Sequence, residues 1–331
     1  MTISAHQLDA LRAVLDALIP SLEGDGFDQR KASDRQTAER VLELISSLGH
    51  AQQVDFQQLI QVLASPMLGL TYFGRLVPAQ KLRRDELEKM LQSWSESRVE
   101  MLRFGFNSLK KLAGFVFFGD SPDGNPNPNF AAIGYPGPLE MSPKSPRFSF
   151  PETEILPQNG LIECEILVIG SGAGGGVAAA VLAEKGRDVV IVEKGPLPDF
   201  SKIKYREVAA FENMYEQKGL LTSKNGSVSL LAGSVLGGGT TGNWAGTFRT
   251  PDFVIDEWAN EHGNTDFLGE NFAKNFDFLE KRMSVRPAEH HNPQNQSLWD
   301  GAQKLGWAVK PIPVNQKKQP DIDDITYWKS M

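Results

Sequence analysis

Cysteine is nearly absent: the chain of 331 residues has one, Cys164. A single thiol excludes an intrachain disulfide scaffold and a multi-cysteine metal centre. It fits a reducing compartment without requiring one. Positive charge is also short, with 34 Lys and Arg against 41 Asp and Glu, a net charge of −7 at pH 7. A nucleic-acid partner is therefore not expected, because that footprint is a basic face. Nowhere do about 18 apolar residues run together, so no spanning helix is expected. The short apolar stretch LAGFVFFG at 112–119 reads instead as a buried segment. The start, MTISAHQLDALRAVLDALIPS, has no basic n-region and no unbroken apolar core. A signal peptide is not expected from it, and the expected location is intracellular, cytoplasmic or membrane-associated.

What is present supports a sizeable core. Hydrophobic residues make up 40% and charged residues 23%, far from a disordered composition. The length suggests two domains of roughly 150 residues. In 5–19, Leu8, Leu11, Leu15 and Leu18 recur at helical spacing, and Pro20 follows as a stop. Ala38, Val41, Leu42, Ile45 and Leu48 repeat the pattern in 34–48, with Gly49 beyond. Phe56, Leu59, Ile60 and Leu63 form a third stripe before Pro66. A longer helix is expected from Asp85 to about Leu112 through Leu87, Leu91, Trp94, Met101 and Leu102. Asp85 is its expected N-cap, with Glu88 as capping-box partner. Residues 1–118 thus read as an all-helical domain whose stripes are core.

Residues 119–160 change character. They are dense in Pro, Gly and Asn, which sustain neither a helix nor a ladder. Their aromatic and aliphatic residues, Phe130, Ile133, Tyr135, Phe148 and Phe150, suggest a segment laid over another surface, and it reads as a domain junction. Residues 161–315 follow as an α/β domain, and 316–331 as a divergent tail.

The α/β domain opens with CEILVIG (164–170), a continuous apolar strand of the kind expected in a parallel sheet covered on both faces. SGAGGGVAAAVLAEKG follows as a turn into a small-residue helix, and DVVIVEKG (188–195) is the second strand. Gly170, Gly172 and Gly175 occupy the G-x-G-x-x-G positions, and Glu193 ends the second strand. Each choice has a physical reason. Gly170 permits the sharp strand-to-helix turn. Gly172 lets the backbone approach a pyrophosphate, and Gly175 lets the helix pack close to the strand. The helix N-terminus offers N–H groups and a partial positive charge to phosphates. Glu193 suits a ribose diol and disfavours a 2′-phosphate. FAD and NAD both remain open at this point.

A second glycine-rich loop, LGGGTTGNW at 236–244, favours FAD. An extended FAD needs a second cradle near its flavin end, whereas a simple nicotinamide dehydrogenase does not. Gly237, Gly238 and Gly239 would let backbone N–H groups approach the cofactor, and the Asn243 amide would reach a polar edge of the ring.

These motifs resemble the glucose–methanol–choline (GMC) oxidoreductases, FAD-dependent alcohol oxidases and dehydrogenases. The residues that carry the resemblance are ILVIGSGAGGGVAAAVLAEKG, VVIVEKG, SVLGGGTTGNW and RTPDFVIDEWA. Within that family the helical extension, the segment before the first strand and NPQNQSLWDGAQKLGW (292–307) resemble the long-chain fatty alcohol oxidases. The resemblance implies that Gly170, Ser171, Gly172, Ala173 and Gly175 line the ADP pyrophosphate, and that Glu193 holds the ribose with Lys194 beside it. It implies that Gly237, Gly238, Gly239, Thr240, Asn243 and Trp244 cover the flavin end. Some relatives attach the flavin through a His or Cys of this loop. Residues 236–247 contain neither, so FAD is expected to be non-covalent.

The implied reaction oxidises a primary, long-chain alcohol to the aldehyde, with oxygen or another acceptor taking the electrons. The substrate would be lipid-like, and peripheral membrane association fits it. The family's base is a histidine, paired with a His or Asn, in its C-terminal third. The histidines here, His6, His50, His262, His290 and His291, lie in no such context. His290 and His291 read as exposed loop residues, so no metal site is expected and the catalytic residue is not assigned. Chains of the family run longer, so the expectation is a truncated form lacking the base and the C-terminal part of the family fold. A non-catalytic FAD-binding accessory protein and an NAD-dependent dehydrogenase are the alternatives.

Overall fold

The computed structural model describes residues 2–19, 32, 35–120, 127, 130, 134, 160–198, 207–223, 228–289 and 291–315. They fall into two compact units, one through Gly242 and one from Asn243 onward. Most of the 119–160 junction, the 316–331 tail and His290 lie outside the described residues.

The first unit begins with helices. The first, α1, spans Ala5–Leu18 and starts on a reciprocal cap: Ser4 Oγ accepts the Gln7 N–H at 3.2 Å and Gln7 Oε1 accepts the Ser4 N–H at 2.9 Å. Two more follow the leucine stripes, α2 at Thr37–Ser46 and α3 at His50–Ala64. A fourth, α4 at Pro66–Phe73, was not expected. Pro66 stops α3 and also starts α4, because the first helical position needs no N–H donor. Ser65 caps it by accepting the Met67 N–H at 3.3 Å.

The expected long helix is two, α5 at Arg84–Ser95 and α6 at Glu100–Gly119. Ser97 makes the break tolerable: its hydroxyl accepts the Val99 N–H at 3.1 Å and its carbonyl accepts from Arg103. Such side-chain bonds replace helix bonds locally. Asp85 is not the N-cap. It sits inside the first turn, and Glu86 accepts the Arg83 N–H at 2.9 Å. Met101, expected in the stripe, is 75% exposed.

The stripes otherwise meet in one apolar core. Leu11, Val14 and Leu15 of α1 bury with Val41 and Leu44 of α2, Ile60 and Leu63 of α3, Met90 and Trp94 of α5, and Leu109 of α6. The one polar edge of that group is satisfied, since Trp94 Nε1–H donates to Tyr72 Oη at 2.8 Å. Asn127 reaches back from the junction, donating to the Phe117 and Phe118 carbonyls at 2.9 and 3.2 Å and closing the C-terminal end of α6.

The α/β part of this unit is small. Strand β1, Ile166–Ile169, runs parallel to β2, Val189–Val192, in the register Ile166↔Val189 to Ile169↔Val192. Helix α7, Ala173–Glu184, connects them and packs on both. Among the described residues one face of this sheet is open. Leu167 is 54% and Ile169 83% exposed. Among the described residues the sheet has two strands, with α7 on one face of the apolar strand and no helix on the other.

Helix α8, Glu207–Met214, ties this part to the bundle. Arg40 of α2 donates to Asp120 at 2.7 Å and to Glu212 of α8 at 2.8 Å. Burial opposes the charge on Arg40, but the carboxylates outweigh it and hold it protonated. Beside this network Phe115 meets Phe211 edge to face at 5.1 Å, and Phe211 stacks on Tyr215 at 4.8 Å.

The second unit holds α9 at Asp252–Asn260, α10 at Glu270–Arg282 and α11 at Pro293–Lys304. Trp258, Phe267, Phe272 and Phe276 form an aromatic ladder with centroid spacings of 5.6, 4.6 and 5.1 Å. Arg249 donates to Asp277 and Glu280, each at 2.7 Å. Strands β3, Arg286–Pro287, and β4, Pro313–Val314, pair antiparallel. Residues 245–247 lie along β4, with the Asn315 N–H donating to Ala245 O and the Thr247 N–H to Pro313 O, both at 2.9 Å.

Candidate functional site

The first glycine turn leaves β1 at Gly170, whose φ of +93° favours glycine. Helix α7 then starts without a side-chain cap on its first N–H groups. A Cβ at Gly175 would run into the Gly170 carbonyl oxygen and lie 3.2 Å from Val168 Cγ1, so helix and strand are in direct contact there. Ala173, the first residue of α7, is exposed.

Glu193 follows β2 and turns back to the first loop. Its Oε2 accepts both the Ser171 hydroxyl at 2.6 Å and the Ser171 N–H at 2.8 Å, and its Oε1 accepts the Gly195 N–H at 2.9 Å. The Ser171 hydroxyl is the main cause that draws its pKa from 4.5 to about 2. Burial opposes this, and the backbone N–H groups of Ser171, Gly195 and Lys194 add to it. The carboxylate is therefore ionised at any ordinary pH. Lys194 points elsewhere: its ammonium is exposed and pairs with Glu216.

The second glycine stretch belongs to the same unit and touches the first. Its turn, Gly238–Thr240, is a single 3₁₀ turn entered through Gly237 at φ +88°. Gly238 has a φ of +56°, and a Cβ there would sit 2.9 Å from Gly172 Cα. The Gly237 N–H donates to Ser171 Oγ at 2.8 Å. The turn is closed by its own side chains, with Thr241 Oγ1 donating to Leu236 O at 2.6 Å and Thr240 Oγ1 donating to Gly237 O. The Leu236 N–H donates to Pro196 O at 2.9 Å, so the loop after β2 also borders it. Gly239 and Thr240 are exposed.

Tyr215 was missed by the sequence reading. Its hydroxyl donates to Gly242 O at 2.6 Å, anchoring the end of the stretch to the residue just after α8, and burial raises its pKa. The Ser171 bridge was missed too, because it joins residues 66 apart and the motif marks only glycines.

Asn243 and Trp244 belong to the second unit. Asn243 Oδ1 accepts the Ala245 N–H at 2.7 Å, which stabilises Ala245 at φ +60°. The Asn243 carbonyl therefore serves its own turn. Trp244 is 71% exposed.

The histidines divide. His6 and His50 are exposed on the helices of the first unit. His291 is not an exposed loop residue, because its ring packs against Trp299 at 5.0 Å. His262 is exposed beside Glu257 and Glu261, and the potential ligand atoms of these three lie within 4.8 Å of one another.

Residues 211–323 match the family model of the GMC oxidoreductases, and residues 165–201 match the FAD binding domain. In these regions the chain is similar to the GMC oxidoreductases. It is 29% identical to one long-chain-alcohol oxidase of Arabidopsis thaliana, over 93% of this chain and 52% of that protein. A second from the same plant is 28% identical over 96% of this chain and 50% of its own length. An uncharacterized GMC-type oxidoreductase of Mycobacterium tuberculosis is 30% identical over 46% of this chain and 25% of its own. The chain thus spans about half the length of the two plant oxidases. No solved structure matches it. The matched families imply a flavin cofactor. Among the described residues no helix is long and apolar enough to cross a membrane.

Proposed function

We propose that β1, α7 and β2 are the start of a Rossmann-like FAD domain, and that its two glycine turns seat FAD non-covalently for the oxidation of a primary alcohol. The observation that carries this is the meeting of three elements: the uncapped start of α7, the ionised Glu193 and the Gly237–Gly238 turn. A dinucleotide needs donors for its pyrophosphate and an acceptor for its ribose diol, and these residues supply both. The N–H groups of Gly172 and Ala173 would hold the pyrophosphate, and Glu193 would accept from the ribose hydroxyls. The Gly237–Gly239 backbone would continue the seat toward the flavin. When bound, FAD would supply a two-electron acceptor for the hydride of the alcohol carbon and a route for the electrons to oxygen or another acceptor, while the hydroxyl proton would leave to a base. A long-chain, lipid-like alcohol is the substrate class that the names of the plant relatives support.

The test is titration of the purified chain with FAD, followed by flavin fluorescence. Glu193→Ala is expected to weaken binding by about tenfold to a hundredfold, the range for a lost hydrogen bond to a charged group. Gly238→Val is expected to remove it, because the side chain would enter the contact with Gly172. Tight binding of NAD with none of FAD would make the nicotinamide dehydrogenase the correct reading.

A further inference from the structure

We propose that Ser171 is a positioning residue: its hydroxyl locks the Glu193 carboxylate and the second glycine turn into one rigid seat. The inference rests on the reading of Glu193 as the ribose acceptor and gives Ser171, expected so far only to line the pyrophosphate, a separate role through its hydroxyl.

The direction of the hydrogen bonds is fixed by the groups themselves. A backbone N–H can only donate, and an ionised carboxylate can only accept. The Gly237 N–H, 2.8 Å from Ser171 Oγ, therefore donates to it, and the hydroxyl proton goes to Glu193 Oε2 at 2.6 Å. Each bond in such a chain polarises the next. The Ser171 N–H holds the same carboxylate oxygen at 2.8 Å, and the Gly195 N–H holds the other at 2.9 Å. One side chain thus joins the first glycine turn, the end of β2 and the second glycine turn. Alanine at this place would leave the Gly237 N–H without its acceptor and free Glu193 to leave its position. The depressed acidity of Glu193 agrees with this, since the Ser171 hydroxyl is its largest cause.

Three variants of the full chain decide the matter: Ser171→Ala, Ser171→Thr and Glu193→Gln. The first readout needs no cofactor. The carbon-13 signal of the Glu193 carboxyl is followed by NMR through acid titration. Its midpoint is expected near 2 in the parent chain and in Ser171→Thr, and displaced toward the ordinary 4.5 in Ser171→Ala. The second readout is FAD affinity. Ser171→Ala is expected to lose about tenfold to a hundredfold, with its acid limit at higher pH, and Ser171→Thr to restore binding. Where Ser171→Ala loses the fold, the near-isosteric Ser171→Cys, a weak donor, takes its place. An unmoved carboxyl midpoint, or full FAD affinity in Ser171→Ala while Glu193→Gln binds poorly, would overturn the role of Ser171 and leave the cofactor reading standing. Unchanged FAD affinity in Glu193→Gln would instead overturn Glu193 as the ribose acceptor, and the NMR midpoint would still decide whether Ser171 holds Glu193.

Discussion

The helical bundle and the glycine turns lie in one compact unit, yet they are held together by different means. In the bundle the side chains do the holding: Leu11, Val14, Val41, Leu44, Ile60, Leu63 and Leu109 are fully buried around Trp94. In α7 only Ala179 is buried, and β1 turns Leu167 and Ile169 outward. There the backbone holds, through the β1–β2 ladder, the Gly172–Gly238 approach and the bonds to Ser171 and Glu193. A seat for a flat, charged cofactor needs bare backbone, and bare backbone has little apolar surface to bury. The bundle supplies the hydrophobic stability that the seat lacks, and Arg40, Phe115 and Tyr215 connect one to the other.

The largest effect should come from the bundle. Trp94→Ala removes a side chain that is 1% exposed and orphans its partner Tyr72. It should cost about 3–5 kcal/mol by chemical denaturation. Tyr72→Phe loses only the hydrogen bond and should cost about 1 kcal/mol. If both variants cost the same, the core packing around Trp94 is not what holds the bundle.

An intermediate effect belongs to the connection. Arg40→Ala leaves Asp120 and Glu212, which are 10% and 19% exposed, without their shared guanidinium. Truncating one partner of a partly buried pair should cost about 2–3 kcal/mol, read by thermal unfolding. Amide exchange should quicken in α8 more than in α1. Equal quickening in both would mean that the network stabilises the bundle itself and does not connect it to α8.

The same contrast explains what the sequence made legible. Side-chain periodicity marks burial, so Leu11, Leu15, Val41 and Ile60 located α1, α2 and α3. It does not mark backbone breaks: Trp94 and Leu102 keep helical phase across Ser97, so α5 and α6 read as one helix. Pro66 read as a stop, although proline at a first helical position is also a start. In the site, Gly170, Gly175 and Glu193 were legible because their spacing within one βαβ unit is fixed by local geometry. The Ser171–Gly237 bond was not, since it depends on how two separate turns fold onto each other. The exposure of Ile169 was also hidden, because an apolar run looks the same whether its sheet has one covered face or two.

That last point gives the smallest expected effect and the sharpest test of the contrast. Ile169 ends β1 and is 83% exposed. Ile169→Thr therefore removes almost no buried surface. A β-branched residue keeps the strand preference, and exposed substitutions usually stay within about 0.5 kcal/mol. Thermal unfolding of the variant at several protein concentrations checks this. A concentration-independent change of that size supports a sheet whose open face carries no stability. A loss above about 1 kcal/mol that grows with protein concentration would mean that a second copy covers the face. Side-chain burial would then hold the glycine region as it holds the bundle, and the contrast between them would fail.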